Sequence, residues 1–596
     1  MKYLPNFVNY IEIILKFDKK MTNENTKKSP YSEKIWLKSY DAHVNPKIDL
    51  EYYSVAEMMK RTVKKYPNSL CYDFQGSCAT FKEAEKYINS FANFLVENGI
   101  KKGERVVINL PNLPQFIVAL FGTFYAGCAA SGMNFLLQPN EIRYQLKDSG
   151  AVAIITLDSF YEEKVREALQ TGDTDVKIVI TTNVADVLDL EPAMKEQLIK
   201  IGKIPSGKVE PINSIKYFAF KDIVDKYPSD KSPNIEIGPE DVLLLQYTGG
   251  TTGPPKGAIL THRNLIHLMQ IVFNWFEPGA NPGEDIYMSG FPFFHLAGLQ
   301  FCLQSAFMGS AQILVPDPRD TNYFCSQLHN YEGKIALMYN VPTLYMMLLK
   351  NRKFKKLDLS SVIGYISGAA PFPTKNINEF EGVVGEGKLV EAYGMTEASP
   401  GVTMNPYLGK KKVGTVGVPF PNTEVKLVDV TDRKKEVPIG TPGEIAIKGP
   451  QIFKGYWNKP KETENALVDG WFYSGDVGVM DEDGYITIVD RTKDMIIVSG
   501  FKVFSVEVDD KMNKHAAIEL CSTVGIPDAD RPGSELVKLY VLLKEGYHAS
   551  EEVKADILKY AQDNLAKYKV PKFIEFLKEL PLTAVGKVDK KVLRKM

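Results

Sequence analysis

The sequence predicts an α/β protein: a large first domain of stacked sheets and helices, a small β-rich subdomain, and an α+β domain at the C-terminal end. Three observations carry that prediction. Between Tyr53 and about Gly333, buried-looking apolar runs alternate with amphipathic, helix-like segments. That alternation is the pattern of largely parallel sheets covered by helices. After about Gly414 the texture changes to short strands separated by Gly and Pro turns. Past Arg491 a further strand–helix–strand–helix pattern begins, about 100 residues long, which suits an independent domain.

The elements follow in order. Residues 1–30 read as an N-terminal extension, either disordered or lying ahead of a later start at Met21. Leu4, Phe7, Val8, Ile11, Ile14 and Leu15 fall at helical spacing. Glu12 interrupts that apolar face and no small-residue cleavage site follows, which argues against a signal peptide. An amphipathic helix lying on a membrane surface is the alternative. FKEAEKYINSFANFLVENG reads as an amphipathic helix ended by Gly99. RVVINLP, AVAIITL and VKIVITT read as buried strands. Ala185–Pro239 has few signals and reads as a loop-rich insertion. TEVKLVD, GEIAIKG and DEDGYITIVD read as strands of the β-rich part, with Asp483-Gly484 as a hairpin turn. MIIVSG and KLYVLLKE read as strands, and SVEVDDKMNKH and EEVKADILKYAQDNLA as helices, of a terminal domain spanning 491–596. The large first domain, with the β-rich subdomain, then spans 31–490.

The composition of the 596 residues is ordinary: 44% hydrophobic and 24% charged, so neither a fibre nor a disordered chain. Lys+Arg 72 balance Asp+Glu 73, which argues against a nucleic-acid partner. None of the six cysteines forms a C-x-x-C pair or a zinc spacing with histidine, so reduced thiols in a cytoplasmic protein are expected. No apolar run reaches the roughly 18 residues that span a bilayer. Peripheral contact with the inner face of a membrane, and a homodimer, are left open.

The stretch LLLQYTGGTTGPPKGAILTHRN, Leu243–Asn264, carries the first chemistry. It reads as an apolar strand, a loop and a polar segment that opens a helix. Gly249, Gly250, Gly253 and Gly257 let the backbone approach an anion closely. Thr248, Thr251 and Thr252 add hydroxyls, and Lys256 adds a charge. A Walker A loop needs Ser or Thr directly after its lysine to hold Mg2+; here Gly257 follows. The near-match Gly382 to Leu389 fails at the same point, since Leu389 stands where the hydroxyl must be. A P-loop kinase or GTPase is thereby excluded.

YTGGTTGPPKG resembles the phosphate loop of the adenylate-forming superfamily, which contains acyl-CoA synthetases, adenylation domains of peptide synthetases and luciferases. Further stretches match in that family's order: FPFFHLAG (Phe291–Gly298), SGAAP (Ser367–Pro371), YGMTEA (Tyr393–Ala398), GWFYSGDVG (Gly470–Gly478), DRTKDMIIVSGFKV (Asp490–Val503) and PLTAVGKVDK (Pro581–Lys590). The resemblance runs from about Tyr31 to the end. It implies ATP, Mg2+ and coenzyme A as cofactor and co-substrates, and a mobile C-terminal domain.

The resemblance also implies roles. Thr248–Gly253 and Lys256 would hold the β- and γ-phosphates. Glu397 would be the Mg2+ ligand, and Thr396 would face phosphate. Tyr393 and Gly394, with the small Gly368, Ala369 and Ala370, would take the adenine. Asp476 and Arg491 would hold the ribose. Lys587 would bridge the carboxylate and the α-phosphate during adenylation. The domain would pivot at Lys493, bringing Gly500 and Phe501 in for the thiol step. Gly586 beside Lys587 would allow close approach. His295 resembles the position beside the acyl carboxylate, with a satisfied core histidine as the other reading.

IWLKSYDAHVNPKIDLEYYSVAEMM (Ile35–Met59) resembles the start of bacterial-type long-chain fatty acid CoA ligases. Gly364, Gly368 and Gly394 are small where an acyl chain would need room. Some aryl-acid ligases carry lysine at the place of Ile497, which is mild evidence against that branch. A medium- or long-chain fatty acid is therefore expected. An aromatic or alicyclic carboxylate, or an acyl-AMP ligase feeding a carrier protein, are the alternatives.

Overall fold

A computed structural model describes residues 29–248, 254–499, 501–531, 534–583 and 587–596. The helical reading of residues 4–15 lies outside them, as do the loop residues Gly249, Gly250, Thr251, Thr252 and Gly253, and Gly500 and Gly586.

Two large sheets organise the first part of the chain. One has seven strands, in the order Lys216–Ala219, Ile178–Thr182, Ala151–Leu157, Arg105–Asn109, Ala129–Gly132, Val242–Thr248 and Lys256–Thr261. The other has nine and runs parallel from Leu70–Phe74 to Leu389–Gly394. All twelve residues of the helix Pro114–Tyr125 are buried. A helix apolar on every side belongs in the middle of a large core, and one continuous core joins it to both sheets. The helix Phe81–Glu97 starts at a reciprocal Thr80–Glu83 cap and stops before Gly99, at φ +82°, as its sequence pattern predicts.

The β-rich part is a five-stranded antiparallel sheet: Glu424–Val428, Gly443–Lys448, Trp471–Met480, Leu467–Val468 and Ile486–Arg491. The Asp483-Gly484 turn joins its long hairpin, with Gly484 at φ +86°. The terminal part pairs Ile518–Pro527, Glu535–Leu543 and Phe573–Leu577 in a sheet. It has its own core around Val508, Val537, Leu539 and Ile557, and Glu519 ties it to Lys350 of the nine-stranded sheet's helical layer.

Two sequence readings change. Ala185–Pro239 is not merely loop: it supplies the helices Pro192–Lys200 and Phe220–Lys226 and the edge strand Lys216–Ala219. That strand has no buried residue, so no apolar run marks it. The polar segment after the phosphate loop is first a strand, Lys256–Thr261, antiparallel to Val242–Thr248. The helix His262–Phe276 begins only after Thr261 caps it.

All six cysteines are free; five are buried and Cys78 is exposed. Among the described residues, no helix is long and apolar enough to cross a membrane.

Candidate active site

The phosphate loop closes a hairpin. Thr248 and Lys256 are register partners on its two strands, and Thr248 Oγ1 donates to the Lys256 carbonyl at 3.4 Å.

Opposite it, the strand Leu389–Gly394 delivers Tyr393, and the short turn Thr396–Ala398 delivers Thr396 and Glu397. Gly394 is required by packing against the chain itself: a Cβ there would stand 1.9 Å from the Pro400 carbonyl oxygen. At Gly368 a Cβ would press on the Tyr339 hydroxyl at 3.2 Å. Gly368, Ala369 and Ala370 end the neighbouring strand Gly364–Ser367, with Ala369 at φ +69°.

Asp476 is buried, 5% exposed. It sits in the strand Trp471–Met480 and is the register partner of Arg491 in Ile486–Arg491. Arg491 Nε reaches its Oδ1 at 2.9 Å, and Tyr393 Oη donates to its Oδ2 at 2.8 Å. Asp476 in turn holds the Arg491 guanidinium more firmly charged. Each carboxylate oxygen keeps a lone pair for a ligand hydroxyl.

Lys587 arrives from the far end of the chain. Its N–H donates to Thr583 Oγ1 at 3.2 Å, and the Thr583 N–H donates back to the Lys587 carbonyl at 2.7 Å. Burial pushes its ammonium down to about 8; the Arg491 charge lowers it further and Asp476 opposes both. His295 is pushed down to about 3, first by burial and then by the Lys587 charge. The imidazole is thus neutral, and its Nδ1 accepts from the Ala297 N–H at 3.3 Å, capping the helix Leu296–Met308. Lys587, Asp476, Arg491 and His295 therefore share one electrostatic neighbourhood, drawn from segments nearly three hundred residues apart.

Phe501 is not part of that cluster. It is 59% exposed and stacks on Tyr568, ring centroids 4.9 Å apart. Lys493 lies two residues past the strand Ile486–Arg491. Around it, Asp490 accepts from the Ser505 N–H and Oγ, Lys590 donates to Ser505 Oγ at 2.7 Å, and Arg594 donates to Asp494 at 2.6 Å.

Burial pushes the Glu397 carboxyl up, and its hydrogen bond from Tyr456 opposes this. Tyr456 Oη donates to Glu397 Oε1 at 2.6 Å. No motif singles out Tyr456; its only sequence signal is Gly-Tyr-Trp in a polar stretch. Among the described residues no three His, Cys, Asp or Glu side chains cluster as a metal cage. A carboxylate such as that of Glu397, half-buried here, is a donor that suits Mg2+, which is bound through one or two carboxylates and the substrate's phosphates.

Gly364 borders an apolar crevice lined by Phe273, Phe276, Tyr287, Gln304, Met308 and Leu337, among others. A Cβ at 364 would meet Leu337 at 3.4 Å and Phe276 at 3.5 Å, ordinary contact distances.

Two large α/β sheets, a β-rich subdomain and a small terminal α+β domain make up the fold of an adenylate-forming enzyme. The chain belongs to the AMP-binding enzyme family, whose profile matches residues 59–457, and the AMP-binding enzyme C-terminal domain profile matches 507–587. It is 36% identical over 568 residues to a long-chain-fatty-acid–CoA ligase of Escherichia coli O6:H1, covering 94% of this chain and 98% of that protein. The ligase of the same name from Bacillus subtilis strain 168 is 35% identical over 94% of this chain and 97% of its own. Feruloyl-CoA synthase of an Amycolatopsis species is 31% identical, covering 90% and 97%. ATP-bound MatB from Rhodopseudomonas palustris superposes with TM-score 0.77 at 27% identity, covering 91% of this chain and 98% of MatB. Apo MatB superposes less well, at 0.68.

Proposed function

We propose that the protein is an ATP-dependent acyl-CoA synthetase acting on a medium- or long-chain fatty acid. The observation that carries this reading is the 36% identity to a long-chain-fatty-acid–CoA ligase over 94% of the chain; the charge of Lys587 also acts at His295, and those of Asp476 and Arg491 act at Lys587, which fits a closed arrangement of the terminal domain. The better match to ATP-bound than to apo MatB supports reading it as the pose for adenylation.

A carboxylate is anionic and resonance-stabilised, so a thiol cannot displace its oxygen directly. In the first step a carboxylate oxygen attacks the α-phosphorus of ATP. The O–P bond to the acid forms, the α–β bond breaks, and pyrophosphate leaves. Asp476 and Arg491 hold the ribose, and Tyr393 with Gly368, Ala369 and Ala370 flanks the adenine. Lys256 and the Thr248–Gly253 loop hold the departing pyrophosphate. Lys587 bridges carboxylate and α-phosphate, where negative charge builds up. Glu397 would hold a Mg2+ ion, which neutralises phosphate charge when bound. Thr396 faces the phosphates.

In the second step the thiol of coenzyme A attacks the acyl carbon and AMP leaves. With the division placed at 490/491, the terminal domain turns about Lys493, removes Lys587 and brings the 499–501 turn to the site. The Asp490–Ser505–Lys590 contacts span that point and are broken in the turn.

We place the acyl chain at Gly364, whose lack of a side chain leaves room between Leu337 and Phe276. Gly364→Val is expected to lower kcat/KM for a C16 acid about tenfold more than for a C8 acid, because about 0.8 kcal/mol is at stake per buried methylene. An equal change for both lengths places the chain elsewhere. The function itself is tested by a panel from C2 to C18 with benzoate and ferulate, following pyrophosphate and AMP release with and without coenzyme A. Fatty acids should turn over fastest, and only with coenzyme A. Turnover indifferent to coenzyme A would identify a carrier-loading acyl-AMP ligase, and benzoate or ferulate as best substrate the aromatic branch.

A further inference from the structure

Tyr456 touches both halves of the phosphate site, and nothing in the motifs above gives it a part. Its phenol donates to Glu397 Oε1 at 2.6 Å. On its ring face the Lys256 ammonium stands 5.2 Å from the centroid, within the range of a cation–π contact. Its backbone is fixed to the lysine's strand: Tyr456 bridges Ala258, the Ile259 N–H donates to the Gly455 carbonyl at 2.9 Å, and the Trp457 N–H to the Gly257 carbonyl at 2.8 Å. The same segment holds the glutamate's main chain, since the Phe453 N–H donates to the Glu397 carbonyl at 2.9 Å. The Phe453 ring packs edge-on against Tyr456, 4.9 Å between centroids. The Tyr456 N–H is taken up by Thr463 Oγ1 at 2.9 Å.

We propose that Tyr456 is a positioning residue for the adenylation step: its hydroxyl fixes the Glu397 carboxylate with Oε2 turned to a divalent cation, and its ring seats Lys256. The proposal rests on reading Glu397 as the cation's ligand. The physical reason is the number of acceptor sites. A carboxylate has two oxygens that can exchange places by rotation, and a fixed donor on one of them fixes the other. Partners of metal-binding side chains typically change metal affinity roughly 10- to 100-fold when removed. A single side chain thereby makes the positions of the cation carboxylate and of the pyrophosphate-holding lysine depend on each other.

The test uses the full-length protein without acid, so that ATP binds and does not react. ATP affinity is measured by calorimetry with and without Mg2+. In the parent, Mg2+ is expected to tighten ATP binding. Tyr456→Phe keeps the ring and removes the hydroxyl. It should lose roughly tenfold of that tightening, while its Mg2+-free ATP affinity stays within about twofold of the parent. In a Glu397→Gln background the same substitution should cost nothing further, because its route of action has been removed. Tyr456→Leu should in addition weaken Mg2+-free ATP binding, through Lys256. Tyr456→Phe with undiminished tightening, or with the same loss in the Glu397→Gln background, overturns the proposal. A parent whose ATP affinity ignores Mg2+ overturns instead the reading of Glu397 on which it rests.

Discussion

Lys587→Ala slows acyl-adenylate formation roughly 100- to 1000-fold, the usual loss when one preorganised donor is taken from a developing charge, and leaves most of the rate of thioester formation from supplied acyl-adenylate. The asymmetry is the expected result. The charge of Lys587 acts at His295, and those of Asp476 and Arg491 act at Lys587; in the proposed mechanism only the first step needs the lysine there. Single-turnover pyrophosphate release measures one half-reaction, and thioester appearance from synthetic acyl-AMP the other. Equal losses in both would sink the account of two poses. The pH dependence follows from the ammonium being held near 8. Only the protonated amine can bridge two anionic oxygens. The kcat/KM for adenylation therefore falls as pH rises through about 8, and this limb vanishes in Lys587→Ala.

Asp476→Ala should raise the Kd for ATP roughly 100-fold, since two ribose hydroxyls lose a charged acceptor and hydrogen bonds to charged groups contribute about 1.5–3 kcal/mol each. The carboxylate also holds Arg491 and accepts from Tyr393, so its removal takes the stronger counter-charge from the guanidinium and leaves Asp494 the weaker one. Asp476 raises the Lys587 pKa at present. Its loss therefore moves the alkaline fall in adenylation to lower pH. Asp476→Asn keeps the shape and should reproduce that shift with a smaller loss of ATP affinity. Calorimetry with ATP and the pH profile of pyrophosphate release check the two effects separately. An ATP affinity within threefold of the parent in Asp476→Ala would remove this residue from the ribose site.

Buried strands such as Ala151–Leu157 were legible in the sequence because all seven residues face core, and the Asp483-Gly484 hairpin because its turn chemistry is local. The edge strand Lys216–Ala219 was not, since an edge strand without buried residues leaves no apolar trace. The strand Lys256–Thr261 was misread because its polar start conceals a pairing with Val242–Thr248 that only the folded hairpin reveals. At the site, Asp476, Glu397 and Lys587 could be picked out because each sits in a contiguous motif. Tyr456 could not, because its part comes from contacts with residues 59 and 200 positions away. Gly394 shows a third case: its motif draws attention to it, but the reason the structure gives for a glycine there is the Pro400 carbonyl, which no local pattern announces.

The thiols carry a consequence for redox chemistry. Burial pushes Cys71 and Cys128 up to about 12, and Cys302 and Cys521 higher still. Even the exposed Cys78, beside Asp73, and Cys325 are pushed up to about 11. At neutral pH such a thiol is ionised roughly once in ten thousand molecules, and only the thiolate attacks a disulfide. An acyl-CoA synthetase works on a co-substrate that is itself a thiol and that oxidises to a disulfide. A protein with reactive cysteines would be steadily capped by that disulfide whenever the pool became oxidising. Five of the thiols are buried, and desolvation with the Asp73 charge disfavours the thiolate of the sixth, Cys78, so a swing in cellular redox state acts on the supply of the co-substrate well before it acts on these side chains.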